Sequence, residues 1–415
     1  MTTTRALARV EHMTCAWFTS CMSLGGISNL LLSRIIDSDP LHRIGIALLI
    51  LNMLYFVALL LLQVVRFTFT PARVGYTLSH PIECLFVPTI VLAAATILNG
   101  LAAVAGREVG SGVRTAFQVA FWGYFAAALV VSVVCYTSVW ARAEGSMHHM
   151  NPAWVLPVFP LMLCGSVAVA VVPTQTEQSA LNIAICGLTC QGLGYTVSCM
   201  MYAVLLLRLM TEGFPPARAR PGLFMCCGPP AFTIICLLGL AQEMQRILPA
   251  LPLPSLPAST YETLFISALA ASILLWAVAA WFYLVTLAAI AAALLTERRN
   301  MQFILAWWAA VFPITGFASA TNAIADALDS SPIKILAQIM VVVLAVVFVA
   351  IAAAHIHAVA TAVIMAEGKD EDRLIDTMHR DAEKVPSAEG ERETPPTYPN
   401  TPAVSVFRLE RKLTA

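Results

Sequence analysis

Charged residues are absent from ten stretches between Glu11 and Glu367: His12–Ser33, Ile44–Val65, Cys84–Gly106, Thr115–Ala141, Gly145–Thr176, Gln178–Leu207, Pro221–Gln242, Thr263–Thr296, Asn300–Ala325 and Ile335–Ala366. Each is at least 22 residues long. About 20 apolar residues at a rise of about 1.5 Å cross a hydrocarbon core about 30 Å thick, so each stretch predicts a membrane-spanning helix. A second pattern runs through the first. Helix breakers fall in every odd-numbered stretch: Gly25 and Gly26, then Pro88, then Pro157 and Pro160, then Pro229 and Pro230, then Pro313. Proline is absent from all five even-numbered stretches. An interior proline frees a backbone carbonyl, which a membrane tolerates where protein or water satisfies it and not where lipid does. The expected fold is therefore an all-α polytopic membrane protein. Its ten transmembrane helices form five hairpins, with kinked odd helices lining a central pore and even helices forming the outer ring.

Composition agrees, because 59% hydrophobic and 12% charged residues depart far from a soluble domain, where charges make up about a quarter. Net charge is zero, so no basic surface points to nucleic acid, and the loops are too short for a separate catalytic domain. Residues 1–10 read as a cytoplasmic N-terminus, 11–366 as the transport domain, and 367–415 as a charged, proline-containing disordered cytoplasmic tail. The first apolar run is too long for the core of a cleavable signal and stays as helix 1. Ten Lys and Arg flank the spans on the side of the N-terminus against six on the other, which places both termini in the cytoplasm. The eleven cysteines lie in or beside spans and are expected as free thiols.

Aromatic residues accompany the breaks: Phe18, Phe86, Phe159, Phe232 and Phe312. Rings turned inward at kinks would line a pore and close it by excluding water. Phe312, beside Pro313, is the leading candidate for the gate; helix packing is the alternative for each ring taken singly.

Particular segments carry a family resemblance: TCAWFTSCMSLGGISNLL in helix 1, HPIECLFVPT leading into helix 3, NPAWVLPVFPLMLCGSVA in helix 5, GLTCQGLGYTVS in helix 6, RPGLFMCCGPPAFT leading into helix 7 and AWWAAVFPITGFA in helix 9. Together they resemble the tellurite-resistance/dicarboxylate transporter family, most closely its fungal malic acid transport members, with slow-type plant anion channels and sulfite efflux pumps as relatives. The resemblance implies five hairpins around one pore per subunit, a homotrimer, and a ninth-helix phenylalanine closing the pore, a position that Phe312 matches.

A dicarboxylate needs positive potential and hydrogen-bond donors. The half-helices after the kinks present amides and partial positive charge, which Thr89, Thr233 and Thr315 would reinforce unless their hydroxyls return to their own helices. His80 and Glu83 stand at the cytoplasmic start of helix 3 as candidates for proton exchange or gating; the alternative is a capped helix start with a salt bridge, to Arg220 for example. Arg220 and Arg208 are candidates for recruiting anions at the cytoplasmic mouth, or else anchor the chain at the interface. His148-His149 and His355/His357 lack acidic or Cys partners, so no metal is expected, and no cofactor is implied. Paired carboxylates, an activated nucleophile and a phosphate loop are all missing from the spans, so no enzyme is expected. The expected function is plasma-membrane transport of C4-dicarboxylates such as malate across a lipid bilayer, with a proton carried along. An anion channel or sulfite efflux pump of the same fold is the alternative.

Overall fold

The computed structural model describes residues 9–142, 150–250, 257 and 259–366. The expected tail, most of the N-terminal segment and the pair His148-His149 lie outside the described residues. Among those described, every regular element is helical. Ten helices organise the chain: α1 (Phe18–Leu32), α2 (Asp39–Phe69), α3 (Pro88–Ala105), α4 (Ser111–Trp140), α5 (Phe159–Val171), α6 (Glu177–Glu212), α7 (Gly228–Ala250), α8 (Thr260–Thr296), α9 (Phe312–Ala327) and α10 (Ser331–Ala360). Counted with the short helical segments leading into them, eight are long and apolar enough to cross a membrane; α5 and α9 are shorter.

The two populations expected from proline placement differ in how they start. The even helices run 30 to 37 residues without interruption. Each odd helix is instead preceded by a short separate segment: Cys15–Trp17 before α1, Glu83–Phe86 before α3, Pro152–Val155 before α5, Ala217–Cys227 before α7 and Leu305–Ala310 before α9. Pro88, Pro160 and Pro313 occupy the first turns of their α-helices, where a missing amide costs nothing because that amide has no intrahelical partner. Pro229 and Pro230 open α7 in the same way, and Pro157 lies in the turn before α5.

Burial separates the same two sets. In their most apolar stretches the spans containing α1, α3 and α7 have 89, 67 and 78% of residues buried, against 22 to 33% for the even helices. The odd helices touch in a closed cycle, α1 on α3, α3 on α5, α5 on α7, α7 on α9 and α9 on α1. Each even helix packs on the odd helix before it. Leu54, Val119, Met200, Leu274 and Val346 leave the outer faces apolar and exposed. So large an apolar surface is not tolerated on a soluble monomer and suits acyl chains. Arg9 donates to the carbonyls of Val359 (2.6 Å) and Met365 (3.2 Å), tying the first described residues to the end of α10.

Two local features differ from the sequence pattern. Helix α1 runs uninterrupted through Gly25 and Gly26, and its break falls earlier, before Phe18. The glycine pair serves close approach instead: a Cβ at Gly25 would stand 2.6 Å from Asn52 Nδ2 of α2, and one at Gly26 2.8 Å from Thr315 Oγ1 of α9. Helix α7 continues through Pro249 to Ala250, so the proline-rich segment 248–259, which reads as an extended loop, begins as helix. Within α6, Gly194 meets α5, where a Cβ would lie 2.6 Å from Met162 Cβ, whereas Gly192 faces open space. Gly194→Val should therefore lower stability by about 1–3 kcal/mol through overpacking, while Gly192→Val stays within about 0.5 kcal/mol. Thermal unfolding of the detergent-solubilised protein measures the contrast, and equal shifts for the two would refute it.

Candidate functional site

The breaks bring three of the five singled-out rings to one point. Phe159 and Phe312 are the first residues of α5 and α9, and Phe232 lies in the first turns of α7, so all three project where their helices begin. Phe232 and Phe312 stack at 5.2 Å between centroids, and Phe159 meets them edge-on at 5.9 and 6.2 Å. Glycines make room for the rings: a Cβ at Gly228 would come 2.8 Å from Phe159 Cζ, and one at Gly316 would come 2.9 Å from the ring of Phe232. All three phenylalanines are buried.

One cavity lies against this cluster and a second adjoins it. The smaller, about 30 Å³, is walled by Phe86, Phe159, Phe312, Thr19, Met22 and Trp308, among others. The larger, about 110 Å³, shares Phe86, Pro152, Met225, Leu305 and Ala306 with it and extends to Arg208 and Asn151. Phe86 therefore fronts both spaces from the segment before α3. Phe18 does not join the cluster; it is fully buried against Phe56 of α2, ring centroids 5.8 Å apart.

The threonines after the kinks turn back on their own helices. Thr89 Oγ1 donates toward the carbonyls of Phe86 (2.6 Å) and Cys15 (2.8 Å), Thr233 Oγ1 to Pro229 (2.7 Å) and Thr315 Oγ1 to Phe312 (2.7 Å). Each hydroxyl thereby occupies a carbonyl at the break and holds the first turn of its half-helix in place. Thr233 Oγ1 also lies 2.8 Å from the side-chain amide of Gln191 on α6.

Glu83 has a partner that the sequence reading overlooked. Arg66, on the last turn of α2, donates from Nη1 to Glu83 Oε1 at 2.8 Å, and both side chains are 1% exposed. Thr77 Oγ1 donates to the same oxygen at 2.9 Å, and Arg66 Nε donates to the Glu11 carbonyl at 3.0 Å. The pair thus links α2, the helix Ala72–Ser79, the N-terminal segment and the Glu83–Phe86 turn that carries Phe86. His80 caps that turn, its Nδ1 accepting from the amides of Ile82 and Glu83, both at 3.3 Å. Arg220 stands elsewhere: it donates to the carbonyls of Pro215 and Ala289 and pairs with Glu297 at 2.8 Å, fixing Ala217–Cys227 against α8. Arg208, by contrast, borders the larger cavity.

Further along the odd helices sit polar groups that were not singled out from the sequence. Asn29 Nδ2 on α1 donates to the Thr96 carbonyl on α3 at 3.0 Å, and Asn99 Nδ2 lies 3.5 Å from Ser166 Oγ on α5. The Oδ1 atoms of Asn29 and Asn99 are buried without a hydrogen-bond partner. The available signal was an asparagine inside an otherwise apolar span. At the ends of α3 and α7, buried Glu243 receives Arg107 at 2.6 Å and Arg246 at 3.3 Å.

Comparison with known proteins gives consistent results. The SLAC1 family profile, described as voltage-dependent anion channel, matches residues 12–356. A malic acid transport protein of Schizosaccharomyces pombe is 29% identical over 364 residues, 88% of this chain and 82% of that protein. A sulfite efflux pump of Arthroderma otae is 23% identical, covering 79% of this chain and 86% of its own length. An uncharacterised transporter of Methanocaldococcus jannaschii is 21% identical over 75% of this chain and 85% of its own.

Removing one member of a buried ion pair strands the other, so Glu83→Gln should destabilise the protein by about 3–5 kcal/mol. The double replacement Arg66→Met with Glu83→Leu should recover most of that loss, because it removes both charges. Thermal unfolding of the three variants decides the point; a double variant no more stable than Glu83→Gln would contradict it.

Proposed function

From the premise that this chain belongs to the SLAC1 family of voltage-dependent anion channels, we propose that it transports C4-dicarboxylates such as malate through a central pathway closed by a phenylalanine plug. The observation that carries the reading is the meeting of Phe159, Phe232 and Phe312 at the starts of three neighbouring odd helices, directly against a cavity. Three rings in contact leave no room for water, and a dewetted constriction is a barrier to an anion. Rotation of the rings off their glycine seats opens the path, and the half-helix N-termini around it favour negative charge. The substrate class follows the malic acid transport protein that this chain resembles.

Proton coupling belongs to the same proposal. Among the described residues lining the two cavities there is neither a carboxylate nor an imidazole, and the reading carries the proton on the carboxyl of the substrate itself. Glu83 and His80 then act as the frame that holds Phe86, and Arg208 as the group that draws anions into the larger cavity. Plasma-membrane placement, cytoplasmic termini and a homotrimer complete the proposal. A second reading, an anion channel or sulfite exporter of the same fold, is favoured by the likeness to the sulfite efflux pump.

Uptake of labelled malate, succinate, fumarate and sulfite by cells expressing the protein separates the two readings. Malate uptake above empty controls is expected, and equality with those controls from acidic to neutral pH would end the dicarboxylate proposal. Phe312→Ala should raise passive anion flux on the order of tenfold, with Phe159→Ala adding to it because its ring stays in the path. Unchanged conductance in the double variant would remove these rings from the gate.

A further inference from the structure

We propose that Arg107 receives a substrate carboxylate at the end of the pathway remote from the rings, and that the acid takes it from Glu243. The helical repeat places Glu243 over the path. Eleven residues make three turns, about 16 Å along the axis, so the faces that carry Phe159, Phe232 and Phe312 next present Ala170, Glu243 and Ala323. The rings are buried, whereas Ala170 and Ala323 are half-exposed. Leu240, Ala241 and Met244 turn to another side of α7, into the apolar groove between α6 and α8. Arg107 follows the end of α3 and is 65% exposed, and its Nη2 donates to Glu243 Oε1 at 2.6 Å. Helix α5 stands between α3 and α7 in the cycle of contacts, so this ion pair joins two helices that are not neighbours in the ring.

Glu243 can exchange partners because it has two. Its Oε2 also receives Arg246 Nε at 3.3 Å, and Arg246 is itself fixed by the carbonyls of Val172 (3.1 Å) and Gln175 (3.4 Å) at the end of α5. A buried carboxylate stripped of its only partner is strongly disfavoured, and the Glu243 side chain is 7% exposed. With Arg246 in place, Arg107 leaves without stranding it. The two arginines are therefore not equivalent: Arg246 is tied to α5 and α7, while Arg107 is held by one nitrogen and otherwise open to solvent. A guanidinium has five donors in a planar fork and takes a carboxylate through parallel charge-assisted bonds, so a free acid competes with the single bond from Glu243. The ligand class is an organic carboxylate. That this acid is cargo rests on the transport reading, while its binding at Arg107 does not.

Modification of exposed arginines by phenylglyoxal, read by peptide mass spectrometry on the wild-type chain in nanodiscs, tests the contact without transport. Saturating malate should slow modification of Arg107 by about threefold or more, because the bound carboxylate covers the guanidinium, and neutral malamide should not. Arg43 is the internal reference and should react at the same rate throughout. It is exposed near the start of α2, where Leu49 reaches α3 so closely that a Cβ at Gly100 would lie 2.6 Å from Leu49 Cδ1, so both arginines stand at one end of the bundle. Equal rates at Arg107 with and without malate overturn the proposal. In cells, Arg107→Gln should raise the KM for malate uptake by about tenfold or more with Vmax little changed, and Arg107→Lys should recover part of the loss. Glu243→Gln should lower KM, because the competing carboxylate is gone. A pair that only ties α3 to α7 would move KM the same way in both variants, and that result also overturns the proposal. Protection of Arg107 in a wild type that carries no malate sinks the transport reading alone.

Discussion

A peptide group without a hydrogen-bond partner cannot face lipid, and the arrangement of this protein follows from that constraint. Five helices carry a break near their start, and at each break amides and carbonyls lose their regular partners. The even helices have no such break over 30 residues or more and meet the acyl chains with leucine, valine and isoleucine. The odd helices are enclosed by them and touch one another in a cycle. Threonines at three of the breaks return a hydroxyl to a freed carbonyl, so local side chains supply part of what the helix has lost.

The same breaks place the chemistry. The starts of α5, α7 and α9 bring Phe159, Phe232 and Phe312 into contact, and residues of the short segments before them line the cavities. Under the proposed gating, an apolar cluster of rings favours neither a trapped anion nor a trapped water, which suits a barrier that must open and reclose. Buried charge among the described residues is met by a partner. Arg66 and Glu83 are both buried, and such a pair holds elements in register better than it adds net stability, because desolvation offsets most of its attraction. Here it fixes the turn that carries Phe86.

The all-helical, membrane-spanning character of the chain was legible in the sequence, and the partners of individual residues were not. The spacing of uncharged runs and the confinement of proline to odd-numbered ones anticipated which helices are broken and which are buried. The Gly25-Gly26 pair had the right location and another duty, since glycine in a helix marks a close neighbour as readily as a bend. Arg66 was overlooked because it sits at the edge of an apolar run, where an arginine reads as an interfacial anchor, and the 17 residues separating it from Glu83 carry no periodic signal.

What the sequence determined by itself is whatever depends on local composition: spans long enough to cross a bilayer, breaks at proline, and rings beside those breaks. Hydrogen bonding and hydrophobic transfer act residue by residue, so their record can be read along the chain. Tertiary structure alone decided which rings meet, that Phe18 turns to α2 instead, that Arg208 borders a cavity while Arg220 is spent on α8, and that Glu83 pairs with Arg66. Those outcomes depend on the rotation and depth of each helix against neighbours distant in sequence, and packing sets them only when all the helices are in place.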